Sequence, residues 1–336
     1  MRRNVEIEQM NSGTPFSRDY LGLTAVLLAL IFFFGTQSDH FWSLLTFTTI
    51  ANQIPALTVI AVGMTFVLII AGIDLSVGSV MALAGAVLGV ALVEMNLPLP
   101  LAAAIALLTG TLCGACNGFV VTRWGVPSFI VTLGMLEIAR GGAYMVTDSQ
   151  TSYIGSTVAP IAAPLEALNL SPALLVAVLV VIVGQAVISR SVFGRYIIAI
   201  GSNEEAVRLS GINVTRNKMI VFCIAGLLAG LGGIFHVGYL QSADPNAGIG
   251  LELSAIAAVV IGGTSLSGGK GSAINTFLGV LIIAVLQTGL AQIGASDPGK
   301  RVITGLVIVI AVILDVYRNR SGGVGNYFRR LVGSGR

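Results

Sequence analysis

Ten apolar runs alternate with short polar intervals along the chain, at residues 20 to 36, 47 to 71, 75 to 93, 98 to 121, 128 to 147, 171 to 189, 218 to 240, 251 to 263, 272 to 293 and 301 to 317. A bilayer core takes roughly 20 apolar residues per helix, within about 17 to 25. Only helices and closed barrels satisfy their backbone groups in lipid. The pattern therefore predicts an all-α polytopic membrane protein of about ten transmembrane helices. The eighth run is short and ends in Gly262 and Gly263. It reads as a half-helix, or as a tilted span buried among its neighbours, where irregular backbone is tolerated.

The polar intervals leave no room for a soluble domain. The longest spans 190 to 217, and the segment 148 to 170, with Pro160 and Pro164, is shorter; an ordinary domain takes ~100 residues or more. The expected organisation is an N-terminal tail (1–19), a membrane-spanning domain (20–317) with its polar loop at 190–217, and a C-terminal tail (318–336). The first run leads into Gly-Thr-Gln-Ser-Asp-His without a small-residue cleavage pattern, so it is expected to remain as an uncleaved helix. With the N-terminus inside, alternation puts fifteen of the eighteen Lys and Arg residues on the cytoplasmic side. Both termini are therefore expected in the cytoplasm. Lys300 and Arg301 fall outside, and Arg140 falls within a span.

Composition narrows the class further. With 55% hydrophobic and 10% charged residues and a mean hydropathy of +0.92, the chain lacks the charge needed to cover a soluble core, and its solvent is membrane lipid. The 42 glycines suit helices that approach closely in lipid. A net charge of +3 is explained by topology and implies no nucleic acid. Cys113, Cys116 and Cys223 all lie in apolar stretches, so neither a disulfide framework nor redox chemistry is expected. Cys113-Gly-Ala-Cys116, beside Gly110, Gly114 and Gly118, reads as small packing residues. With two histidines, His40 and His236, the chain offers no metal cluster and no catalytic set, and no cofactor is called for.

A few polar positions stand out against this background. Ile70-Ala-Gly72-Ile-Asp-Leu75-Ser76-Val-Gly78 shares the pattern I-x-G-x-x-L-S-x-G with Ile261-Gly-Gly263-Thr-Ser-Leu266-Ser267-Gly-Gly269, and both precede an apolar span. Such echoes occur in transporters built from duplicated halves, near the solute path, and also arise by chance where Gly, Leu and Ser abound. Asp74 is expected to cap the helix beginning near Leu75. Charge at membrane depth costs about 2.5 to 3.5 kcal/mol or more. Glu137 and Arg140, three apart on one helix, are therefore expected to pair, a role favoured over a direct place in the path. In the polar loop, Ser202-Asn-Glu-Glu-Ala-Val-Arg-Leu-Ser-Gly211 reads as a short helix. Ser202 or Asn203 can cap it, Glu204 and Glu205 suit its positive end, and Gly211 can close it. On spacing alone, an ordinary connector with a solvated face is the favoured reading, because capped helices are common in loops.

Ala61-Val-Gly-Met-Thr-Phe-Val-Leu-Ile-Ile-Ala-Gly-Ile-Asp74-Leu-Ser-Val-Gly-Ser79 resembles the signature of the ribose-type permeases of bacterial ATP-binding cassette importers. So do Val126-Pro-Ser-Phe-Ile-Val-Thr-Leu-Gly134, Phe193-Gly-Arg195 through Ile212, and Ala257 to Gly271, in the right order over residues 45 to 317. The resemblance implies a sugar-conducting subunit of the bacterial cytoplasmic membrane. It also implies cytoplasmic ATP-binding subunits, a second permease copy or paralogue, and an extracytoplasmic sugar-binding protein. It turns the short helix into a coupling helix, with Leu209 or Ile212 as apolar anchor, Glu205 and Arg208 as grips, and Glu204 and Gly211 framing it. A neutral sugar calls for hydroxyl, amide and aromatic groups. Asn52, Gln53, Ser76, Ser128, Phe129 and Thr132, with Asp74 and Glu137, are the candidate path residues. Leu266-Ser-Gly-Gly-Lys270 is similar to an ATPase signature but no phosphate loop, since Lys270 is followed by Gly271 and Thr264 stands where a glycine is required. The competing expectation is an ion-coupled secondary transporter, which would want a relay of acids or histidines inside the bundle.

Overall fold

The computed structural model describes residues 15–165, 169–296, 298–307, 309–310 and 312–313. The tail calls at 1–14 and 318–336, and the end of the tenth run, lie outside the described residues. The helices are α1 (Pro15–Gln37), α2 (Leu44–Gln53), α3 (Pro55–Ile69), α4 (Val77–Val93), α5 (Leu99–Trp124), α6 (Ser128–Val146), α7 (Ala159–Ala162), α8 (Pro172–Arg190), α9 (Val192–Ser202), α10 (Glu204–Leu209), α11 (Val214–Leu240), α12 (Leu251–Ile261) and α13 (Ala273–Gln292). Residues 298–307 are helical as well. The departure from all-α structure is slight: Ser152–Tyr153 pairs antiparallel with Ser242–Ala243, joining the segment after α6 to the end of α11.

Six of the described helices, α1, α5, α6, α8, α11 and α13, are long and apolar enough to cross a membrane, and α2 and α3 reach that length only together, across a bend of 47°. The bend has a local cause. Pro55 stands at the first position of α3, where it has no N–H to continue the ladder from α2, and Ile54 serves both helices as cap. Two expected spans are shorter than expected: α4 has 17 residues and α12 has 11. The short eighth run is thus a short helix, stopped by Gly262 and Gly263.

At the centre lies α11, which packs on α5 most extensively and then on α3 and α4. Its seam with α5 is built from small residues. A Cβ on Gly110 would stand 2.3 Å from the Gly226 carbonyl oxygen, and one on Gly114 would stand 2.2 Å from that of Phe222. In lipid, helices associate through such close backbone packing rather than through hydrophobic burial. Cys113 and Cys116 are free thiols; Cys113 packs partly against the core, whereas Cys116 is exposed. At the edge, α1 docks on α13 with the Phe34 ring lying over Gly289.

Candidate functional site

The loop helix α10 is defined by its ends. Asn203, rather than Ser202, caps it: Oδ1 accepts the Ala206 N–H at 3.0 Å. At the other end Gly211 takes φ +78°, and the Ile212 N–H reaches back to the Val207 carbonyl at 3.4 Å. A glycine in the left-handed region closes a helix this way without a Cβ clash. All three ion pairs among the described residues converge here: Arg208 with Glu204 at 2.9 Å, Arg208 with Glu205 at 3.9 Å, and Lys218 of α11 with Glu204. Burial pushes the Glu204 carboxyl upward, but Lys218 and then Arg208 outweigh it and hold the group below the usual carboxylate range. Val207 points into the body of the protein, whereas Leu209 is 81% exposed. Ile212 packs partly against the core, so of the two expected anchors Leu209 is the free one.

Behind α10, three chain segments meet almost backbone to backbone. A Cβ on Gly201, near the end of α9, would stand 1.8 Å from the Ile69 carbonyl oxygen and 2.5 Å from the Gly269 nitrogen. The Gly269 N–H donates to that same Ile69 carbonyl at 2.8 Å. Across a cavity of ≈ 300 Å³, lined in part by Gly72, Thr122, Ser128, Glu204, Arg208 and Lys218, α10 faces the break after α3. The loop helix and the two echoing interruptions of the sequence thus form one assembly.

Each interruption begins with the same helix end. After α3, Ala71 turns left-handed at φ +58°, its N–H bonds the Leu68 carbonyl, and the Gly72 N–H bonds that of Val67. After α12, Gly263 does so at φ +80°, its N–H on Val260 and the Thr264 N–H on Val259. These caps align Ala71 with Gly263, one residue off the register suggested by the sequence echo.

Beyond the caps, the first segment is held by side chains from α6. The Ser128 hydroxyl accepts the Ile73 N–H at 2.9 Å, and the Thr132 hydroxyl accepts the Leu75 N–H at 3.1 Å while donating to the Ile73 carbonyl. Asp74 Oδ1 accepts both the N–H and the hydroxyl of Ser76, at 2.9 and 2.6 Å. Asp74 therefore closes an Asx turn one step ahead of α4, which starts at Val77 and not at Leu75; Ser76 holds the cap position and makes no side-chain cap bond. Asn117 of α5 donates to the Ser76 hydroxyl at 3.1 Å.

The remaining candidates scatter. Asn52, at the end of α2, accepts the Ser171 N–H at 2.8 Å and donates to the Asn169 carbonyl, tying α2 to the start of α8; its neighbour Gln53 is exposed. Phe129, 46% exposed, and Glu137 lie on the open face of α6. The expected Glu137–Arg140 pair does not form. Arg140 turns instead to the carbonyls of Pro245 and Ala247, which lack helical partners and give the guanidinium two acceptors in place of one charge. Asp74, Ser76, Ser128 and Thr132 are brought together; Asn52 and Gln53 lie elsewhere. Two residues were missed in the sequence. Asn117 carried a signal, a lone amide within an apolar run, whereas Gly201 was one of 42 glycines.

This architecture, apolar spans with broken segments beside a capped loop helix, is that of a transport protein's membrane subunit. A family described as the branched-chain amino acid transport system / permease component matches residues 46–312. The chain belongs to that permease family, and it is a multi-pass protein of the inner membrane. It is 40% identical to the ribose import permease protein RbsC of Escherichia coli K12, covering 86% of this chain and 91% of that one. It is 34% identical to the fructose import permease protein FrcC of Rhizobium meliloti (87% and 84%) and to the xylose transport system permease protein XylH of Escherichia coli K12 (88% and 91%). No solved structure matches it.

Proposed function

We propose that the chain is the membrane-spanning permease subunit of an ATP-binding cassette importer that carries a monosaccharide of the ribose type into the cell. Transport proceeds by alternating access, and a separate cytoplasmic subunit hydrolyses the ATP. The relatives named for ribose, fructose and xylose import support the substrate class. The observation that carries the mechanism is α10: a capped, ion-paired helix fastened to α11 through Lys218, with Leu209 left bare. A helix that relays force needs a rigid body, an apolar anchor and polar grips, and α10 supplies them in Leu209, Glu205 and Arg208. In this reading Gly211 and Ile212 fix its exit, Glu204 its root, and the ATP-binding subunit sits beneath.

Adding α4, α12 and the helix that begins at residue 298 to the seven spans gives ten, which returns both termini to the cytoplasm. A second permease copy or paralogue faces the open side of α6, where Phe129 and Glu137 meet the solute path. Asp74, Ser76, Ser128 and Thr132 shape the wall behind it, and Asn52 and Gln53 stand toward the extracytoplasmic sugar-binding protein. Reconstitution into sealed vesicles with the ATP-binding subunit and binding protein tests the reading. Sugar uptake should require ATP, and Glu205→Lys or Arg208→Glu should uncouple hydrolysis from uptake while leaving insertion intact. Accumulation driven by a proton or sodium gradient, without any ATPase, would make the chain a secondary transporter instead.

A further inference from the structure

The first interruption contains a carboxyl group with no counter-ion. Asp74 is 2% exposed, and no cationic side chain comes within ion-pair distance of it among the described residues. Its neighbours are Ser76 at the head of α4, Cys113 and Asn117 on α5, and Thr132 on α6 through the 73–75 backbone. Cys113 is the titratable one; from α11, Lys218 is held by Glu204 of α10. The hydrogen bonds here do not close. Asp74 Oδ1 takes both donors from Ser76, leaving Oδ2 without one. Asn117, 1% exposed, gives its Nδ2 to the Ser76 hydroxyl, and its Oδ1 is buried without a partner. Turning the Asn117 amide over does not help, because Ser76 has a single hydroxyl hydrogen and Asp74 already receives it. The cluster therefore holds one fully buried orphan acceptor, Asn117 Oδ1, beside a carboxylate without a counter-ion, and it is one hydrogen short, in surroundings where an unpaired charge is costly.

We propose that Asp74 carries a proton in the resting protein, its Oδ2–H directed to Asn117 Oδ1. One added hydrogen turns the Asp74 Oδ2 atom into a donor, satisfies the orphan Asn117 Oδ1, and removes the buried charge. Asp74 is then a neutral link in a chain Asn117–Ser76–Asp74 that fastens the first turn of α4 to α5. The proton is held, not transported. Raising the pH until it leaves restores the orphan Asn117 Oδ1 and a buried charge, so the link is whole in the protonated state and is lost as pH rises through the Asp74 titration. The inference stands on this geometry and holds whatever the solute.

The test uses the purified full chain in detergent or lipid. At about pH 8 exposed carboxyls are ionised, so infrared spectra of the wild type should retain a protonated-carboxyl C=O band, and Asp74→Asn should abolish it. Asp74→Asn, whose amide supplies the missing donor, should unfold within about 2 °C of wild type, with the alkaline loss of stability removed; Asp74→Ala should fall by roughly 5 to 10 °C. Wild-type protein without the band at that pH overturns the proposal, whether or not either variant folds. So does Asp74→Asn destabilised as far as Asp74→Ala. So does a rise of several degrees when sodium replaces choline, which would make the missing hydrogen a metal cation bound by the same oxygens.

Discussion

The breaks after α3 and after α12 start from the same left-handed helix end and are then held by different means. The first is fixed by side chains from elsewhere, Ser128 and Thr132 of α6 and Asn117 of α5, and it is buried. The second supplies its own turn. Gly268 and Gly269 adopt φ +83° and +75°, the Gly268 and Ser267 N–H groups bond back to Ser265, and the Ser265 N–H takes the Lys270 carbonyl. Its outward hydrogen bonds are few: the Gly269 N–H on Ile69, and the Ser272 hydroxyl on Gln185 of α8. A segment held by neighbours cannot shift without them, whereas a self-contained turn can move as a unit. The first break is thus anchored from neighbouring helices and the second mainly by its own hydrogen bonds, with Gly201 where they touch.

Gly201→Val gives the largest expected effect, because it removes the contact on which the comparison turns. With a Cβ 1.8 Å from a backbone oxygen, either α9 or α3 must move, and a loss of about 3 kcal/mol or more is expected. Thermal unfolding and ATP-driven uptake should both fall, while tolerance of valine would mean that the breaks are not locked together. Thr132→Val comes next. It keeps shape but strips the Leu75 N–H of its acceptor, which should cost about 1 to 3 kcal/mol. Ser265→Ala, in the self-contained turn, should cost under about 1 kcal/mol, so equal losses at the two sites would erase the distinction.

The caps offer a comparison of opposite sign. Ala71 pays for its left-handed backbone and Gly263 does not. Ala71→Gly should therefore raise stability and Gly263→Ala lower it, each by about 1 kcal/mol, read as shifts in unfolding midpoint. The smallest effect concerns α10. Because the paired Glu204 carboxyl lies below its unfolded value, its tether to Lys218 is complete above the ordinary carboxylate range and fades as pH falls through the lowered one. Amide exchange across residues 203 to 212 should quicken there, with exchange in α5 unchanged. Glu204→Gln should remove the pH dependence.

Much of the molecule was legible because the information was local. Run length against bilayer thickness marks the chain as multi-span, though six helices and one bent pair among the described residues meet the length where ten runs were expected, and Asn203, Glu204 and Gly211 mark a helix by their own backbone preferences. Arg140 shows where such reasoning stops. Helical spacing offered Glu137 as partner, while the acceptors it found lie 105 and 107 residues away.

What the sequence alone determined is the solvent, the class of protein and the loop helix, since each depends on residues adjacent in the chain. Burial was decided by the tertiary structure. Both α3 and α5 are predominantly apolar, yet α3 buries fourteen of its fifteen residues and α5 six of its 26. In lipid an apolar helix carries no polar stripe to mark its outer face. The partners of Thr132, Asn117 and Gly201 therefore appear only when the helices are packed.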